Sequence, residues 1–186
     1  MGLMSSPGPT ADVSVRIAWG DDAAAIANVQ LRAWRVQYAD LLPADLLPTD
    51  PTQIAAAWRT SMTNPVDARN RVLVALERNR VVGFAVTTPA PDPDCDPVVD
   101  GELAELTVDP DETRKGHGSR LLQAAAETMQ ADKFTRAVTW TISTDDVRRA
   151  FIASAGWEAD SAHRELDLDG SGTTLVKQVR LHTALT

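Results

Sequence analysis

The sequence predicts an α/β (α+β) fold, a mixed and largely antiparallel central sheet of about seven strands flanked by about four helices. Two observations predict it. Short β-rich runs alternate apolar and polar residues, and two pairs of them are joined by short polar turns, as in hairpins. Between the runs lie longer stretches whose apolar residues recur at helical spacing, punctuated by Asp, Pro and Gly.

Val13, Val15 and Ile17 alternate with polar partners, which gives a strand with one buried face. A helix starts at Asp21 or Asp22. It carries Ile26, Val29, Ala33, Trp34 and Gln37 near helical spacing until Pro43 forbids continuation. Thr52 to Met62 forms a second helix, opened by Pro51 and closed by Asn64 and Pro65. Arg71 to Leu76 and Val81 to Thr87 pair as a hairpin around Arg78, Asn79 and Arg80. Pro89 to Asp100 holds four prolines and four aspartates and reads as a solvated loop. Glu102 to Val108 is an inner strand, and Gly116 to about Asp132 a long helix with Leu121, Leu122, Ala125 and Met129 on one stripe. Ala137 to Ser143 is a strand and Asp145 to Ala155 a helix. Glu165 to Leu168 and Leu175 to Leu181 close the chain as a hairpin.

These elements fit a single domain over residues 13–186, with a disordered tail rich in Gly, Pro and Ser over residues 1–12. No run approaches the roughly 20 apolar residues that cross a bilayer, and the opening residues lack the basic start and apolar stretch of a secretory signal. Cys95 is the only cysteine, so no intrachain disulfide forms and the cytoplasm is the default location. A net charge of −8 excludes a dedicated nucleic-acid binder, because phosphate neutralisation needs a basic surface. Any anionic ligand must be held locally.

The informative segment runs from Glu105 to Leu122. A strand passes through a short polar turn into an apolar helix, with Gly116 and Gly118 flanking one residue at the helix start. Glycine lets a backbone approach a bulky ligand without a Cβ clash, and the unpaired N–H groups of a first helical turn attract anions. Arg114 and Lys115 add positive charge there. A glycine-eased turn with solvated basic side chains would read the same way. The P-loop and the dinucleotide fingerprint do not fit, since no Gly-x-x-x-x-Gly-Lys run exists and no third glycine follows Gly118 three residues later.

Val108-Asp109-Pro110, Thr113-Arg114-Lys115-Gly116-His117-Gly118, Leu121 with Leu122, and Gly156-Trp157 after a helix resemble the GNAT superfamily of N-acetyltransferases. The resemblance spans about residues 13–181. It implies acetyl-CoA as cosubstrate, with backbone groups of Leu106, Thr107 and Val108 facing the pantetheine arm. It places Thr113, Arg114, Lys115, Gly116, His117, Gly118 and Ser119 around the pyrophosphate, although Thr113 stands where the family carries Gln or Arg. A splay between the inner strand and the Ala137–Ser143 strand would admit the thioester, and a small-molecule or peptide amine would arrive from the other side. Neither nucleic acid nor membrane is implied as a partner, and a homodimer is compatible with it. An acidic protein suits basic acceptors such as polyamines, aminoglycosides, lysines or protein N-termini.

Attack by an amine requires its neutral form, so a carboxylate is the expected proton acceptor. Glu102 and Glu105 both lie on the inner strand; spaced three apart, simple alternation sends them to opposite faces. Counted back from Gly116, Glu102 falls where some family members carry the base, and others place an acid nearer Glu105. The family's acid, a tyrosine ahead of the Gly-Phe pair, is replaced by Ile152. Tyr38, the only tyrosine, shares a helix face with Trp34 and either supplies that proton or lines the acceptor site. His117 is expected to face water. His163 and His182 lack metal-like spacing, and Pro97 in the aspartate run occupies the glycine position of a calcium loop, so no metal is expected. Cys95 among acids is not an expected nucleophile. Two rivals stay open: a degenerate acyl-CoA-binding domain acting as sensor or scaffold, and an unrelated anion-binding module that shares only the glycine turn.

Overall fold

The computed structural model describes residues 12–186. Of the tail expected over residues 1–12, only Asp12 is described, and its carbonyl accepts from the Arg78 N–H; the rest lies outside the described residues. Eleven main elements follow one another: β1 (Val13–Ile17), α1 (Ala23–Gln37), α2 (Pro51–Thr63), β2 (Arg71–Glu77), β3 (Arg80–Pro89), β4 (Asp100–Val108), α3 (His117–Ala131), β5 (Arg136–Ile142), α4 (Asp146–Ser154), β6 (Glu158–Asp167) and β7 (Leu175–Ala184). The strands form one sheet in the order β1-β2-β3-β4-β5-β7-β6. All neighbours are antiparallel except β4 and β5, which run parallel around the α3 crossover. Among the described residues no helix is long and apolar enough to cross a membrane.

Local chemistry explains the element ends. Asp50 accepts from the Thr52 N–H and caps α2, with Pro51 in its first turn. The β2–β3 turn needs Arg78 and Asn79 in the left-handed region, at φ 48° and 65°. Two apolar layers hold the sheet. On one face Leu73, Ala85, Leu103 and Leu106 meet Leu121 and Met129 of α3 and Ile152 of α4. On the other, Val74 and Phe84 meet Ile26 and Val29 of α1, with Trp58 of α2 edge-on to Phe84 at 5.2 Å.

Two expectations change and a third is refined. The strand expected at Glu165–Leu168 begins seven residues earlier, at Glu158, because Glu158 to Arg164 pairs with β7 despite having no β-branched residue. Its register slips between Ala159 and His163, where Ser161 takes φ 71°. The aspartate run is the expected exposed loop, but it is tied down rather than free. Asp92 and Asp94 both receive Arg180 of β7, and Asp96 and Asp100 close the loop on itself.

The second correction bears on chemistry. Leu103 lies opposite Thr87 and Glu105 opposite Val86, so Ala104 is an extra residue in β4, a bulge. The extra residue resets the alternation. Leu103 and Leu106 therefore both point into the α3 core, and Glu102 and Glu105 share the opposite face instead of dividing between the two.

Candidate active site

β4 and β5 pair over only three positions, ending at Glu102 opposite Val138. Beyond them the ladder stops. The Thr139 hydroxyl donates to the Leu103 carbonyl at 2.8 Å, a side-chain bond where the next backbone bond would be. Farther along, Arg148 of α4 donates from Nη1 to the Leu106 carbonyl at 2.7 Å. The fork opens into a cleft of about 980 Å³ bounded by the end of β4, the start of α3, the end of β5 and α4, with α1 and the residues after it as its far wall.

One end of the cleft is the glycine turn. Gly116 precedes α3 at φ 82°, a left-handed conformation open to glycine, and the amides of the helix's first turn have no side-chain cap. Arg114 is also left-handed, at φ 61°, which costs a non-glycine residue on the order of 1–3 kcal/mol. Leu106, Thr107, Val108, Thr113, Arg114, Gly116, His117, Gly118 and Ser119 all line the cleft. Lys115 does not. Its Nζ is 2.5 Å from Glu112, which also takes Arg80 at 2.6 Å, and the two cations hold the Glu112 carboxyl down at about 2. Among the described residues the cations at the turn without a carboxylate partner are therefore Arg114 and Arg120, the latter donating to the Lys115 carbonyl, rather than the expected pair. His117 likewise departs from expectation. Its side chain is buried and meets Glu77 of β2 at 3.1 Å, because as the first α3 residue it turns down onto the sheet instead of toward water.

Glu102, Glu105 and Tyr38 do not line this cleft; the two glutamates stand beyond it, on the β4 face turned away from the α3 core. Glu102 stands at the apex of the fork, nearly buried, and burial raises its pKa, with Asp92 adding to the rise and Arg164 and Arg180 opposing it. Glu105 accepts from the Thr107 hydroxyl at 2.5 Å. Tyr38, just past α1, comes close enough for its pKa to be raised by burial and by Glu105, while Arg148 lowers it. Trp34 stands edge-on to Tyr38 with ring centroids 6.4 Å apart. Ile152 is wholly buried on the α3 side and takes no part in the cleft.

Several residues that shape this site carry no signature in the sequence. Arg32 of α1 holds buried Asp109 at 2.5 Å, and Asp109 in turn accepts from the Asp111 N–H, which fixes the chain's exit from β4 into the turn. Trp140 of β5 donates to Asp92 at 2.9 Å, and Arg164 lies over its ring at 4.2 Å. Only the abundance of arginines among so many acids hinted at such pairs, and it could not say which.

The description Acetyltransferase (GNAT) family matches residues 28–157, more than half of the chain. The chain belongs to the GNAT acetyltransferase family. No curated protein matches the sequence. Among solved structures, this GNAT chain is similar to yncA from Salmonella typhimurium, solved with its cofactor acetyl-CoA, at 17% identity and TM-score 0.68 over 94% of this chain and 95% of that one. It is similar also to the PaiA N-acetyltransferase of Thermoplasma acidophilum in complex with coenzyme A, at 16% identity and TM-score 0.68 over 92% and 98%. A third is the ribosomal-protein-alanine N-acetyltransferase of Brucella melitensis, at 18% identity and TM-score 0.67 over 92% and 99%. These likenesses concern the fold, and the fork between β4 and β5 is where the GNAT sheet of this chain opens.

Proposed function

We propose that this GNAT protein transfers an acetyl group from acetyl-CoA to a primary amine by direct attack. The observation that carries the reading is the fork. It leads to a turn with uncapped helix amides at one end, and close to its Arg148 wall, outside the lining, stand Tyr38 and Glu105, with Glu102 at the last β4–β5 pair. The first-turn amides of α3 and Arg114 suit the pyrophosphate. The free edge of β4 from Val108 to Leu106 suits the amide-bearing arm, although Arg148 already occupies the Leu106 carbonyl. Solved neighbours that hold acetyl-CoA and coenzyme A support the same cosubstrate.

In this reading the thioester lies toward the fork apex and the amine arrives on the Glu102, Glu105 and Tyr38 side. Glu102 takes the amine's proton, directly or through one water, because its burial raises its proton affinity toward the range a base needs at neutral pH. Glu105 and Tyr38 line the amine's approach.

Purified protein with acetyl-CoA and a panel of polyamines, aminoglycosides, lysine peptides and α-amino peptides tests this. Thiol release matched one to one by an acetylated amine in mass spectrometry is the expected result. CoA binding without acetylated product from any amine would instead identify an acyl-CoA-binding domain, and absence of CoA binding would sink both.

A further inference from the structure

Departure of the sulfur is the step no residue has yet been assigned. Ile152 has no proton to give and faces the core. Tyr38 is a poor donor, since burial and Glu105 strengthen its hold on its proton. A thiol ionises near 8.5 and a phenol near 10, so proton transfer from tyrosine to a thiolate is uphill.

Two arginines line the cleft: Arg114 at the turn and Arg148 at the fork. Arg148 differs from the other arginines packed on the sheet. Among the described residues no carboxylate lies within ion-pair distance of its guanidinium, whose one hydrogen bond is to the Leu106 carbonyl, while its backbone N–H donates to Asp145 as part of the α4 cap. A half-buried cation without a counter-ion, in a protein of net charge −8, is costly unless a ligand completes it. It also stands one helical turn before Ile152, on the wall that faces the free edge of β4.

We propose that Arg148 is a further catalytic residue: its guanidinium donates to the departing sulfur of CoA and holds it as a thiolate, in place of an acid that would protonate it. The inference rests on the acetyl-transfer reading above. The amine nitrogen bonds to the acetyl carbon, the carbon–sulfur bond breaks with its electron pair left on sulfur, and the amine's proton passes to Glu102. The thiolate takes a proton from water after release. Guanidinium has five N–H donors and cannot lose its proton, so Nη1 keeps Leu106 while another N–H meets sulfur. Preorganised donors of this kind act where charge develops in the transition state.

Binding of CoA and of desulfo-CoA, measured by calorimetry at about pH 6.5 and about pH 9, separates this role from a structural one. A cation beside sulfur lowers the bound thiol's pKa below its free value. CoA binding should then strengthen as pH rises between the bound and the free pKa, by about tenfold per pH unit of depression, and desulfo-CoA should not follow. Asp40 after α1, Asp145 ahead of α4, and Glu112, Arg114 and His117 at the turn also line the cleft, and Glu102, Glu105 and Tyr38 stand near its fork outside the lining. They act on both ligands, so the ratio of the two affinities isolates the sulfur. In Arg148→Gln the pH-dependent gain should vanish and kcat fall about a hundredfold, the cost of removing one transition-state donor. Arg148→Lys should keep part of both. An equal rise in the ratio for wild type and Arg148→Gln, or no rise in wild type, would overturn the proposal; the wild-type arm decides even if a variant fails to fold. Failure of both ligands to bind would overturn the acetyl-CoA reading as well, whereas binding and turnover without the pH effect would overturn Arg148 alone.

Discussion

Arg180 of β7 and Arg148 of α4 are used in opposite ways. Arg180, with its side chain 5% exposed, reaches Asp94 with two nitrogens at 2.8 and 2.6 Å, Asp160 with Nε at 2.6 Å and Asp92 at 3.1 Å. Every face of that guanidinium is spoken for, and it pins the 90–100 loop to β7 and to Trp140. Arg148 meets one backbone carbonyl and a cleft. In an acidic chain, partners for a cation are abundant, so an arginine left without one at the mouth of a fork is the exception among the described residues that the proposal for Arg148 rests on. The same contrast separates Lys115, spent on Glu112, from Arg114, which is not.

The comparison breaks first on stability. Arg180→Met removes the cation shared by Asp92, Asp94 and Asp160, leaving Asp160 with Arg136 at 3.1 Å and Asp92 with Arg164 at 3.8 Å, and breaking the buried part of such a network costs up to about 3–5 kcal/mol. Thermal or urea unfolding should register that loss, while Arg148→Gln should stay within about 1 kcal/mol of wild type, as for a single half-exposed hydrogen bond. Equal losses would mean that Arg148 is architectural too.

Next in size is Glu102→Gln, which should lower kcat by about 10²- to 10⁴-fold and leave CoA affinity unchanged. Because burial raises the Glu102 pKa, the wild-type rate should fall as pH drops through a value above the ordinary 4.5 of a glutamate, and the variant should lack that limb. Glu105→Gln should keep it. The same loss in both variants, accompanied by lower melting temperatures, would point to structural roles instead.

Gly118→Val sharpens the glycine-turn end of the cleft. A Cβ at 118 would sit 3.4 Å from the Phe151 ring, already in contact, and the added methyl groups must project into the cleft or against α4. CoA affinity should fall at least about tenfold, or 1.4 kcal/mol, by calorimetry. Unchanged affinity with the fold intact would move the site elsewhere.

The smallest effect is a pH window. Arg180 holds the Asp94 carboxyl down at about 2, below its ordinary 3.8. A group whose folded pKa is depressed lends stability that is full above its unfolded pKa and is lost as pH falls through the folded one. Melting temperature should therefore drop between about pH 4 and about pH 2, and Asp94→Asn should flatten part of that slope. An identical slope in the variant would show that the exposed pair adds nothing.

What could be read ahead of the structure, and what could not, follows the range of the interactions. The turn at Gly116 and Gly118, the helix start at Pro51 and the hairpin at Arg78 and Asn79 depend on backbone demands met within a few residues, and those demands are written locally. Glu102 and Glu105 were legible as carboxylates on an inner strand. Their shared face was not, because the bulge at Ala104 exists only through pairing with Thr87 and Val86 of β3. His117 and Lys115 were legible as neighbours of the turn, but their directions depend on Glu77 and Glu112, the first some forty residues away in the chain.

Sequence by itself therefore determined the succession of strands and helices, the glycine turn and the family resemblance, since periodicity and turn chemistry act over a few residues. Tertiary structure decided where β4 and β5 part, which face the glutamates share, and which cations are spent on carboxylates and which remain open to a ligand. The physical reason is that a charge's role depends on who stands within a few ångströms of it, and here Arg180 finds Asp92 and Asp94 from another part of the chain while Arg148 finds only a carbonyl and a cleft.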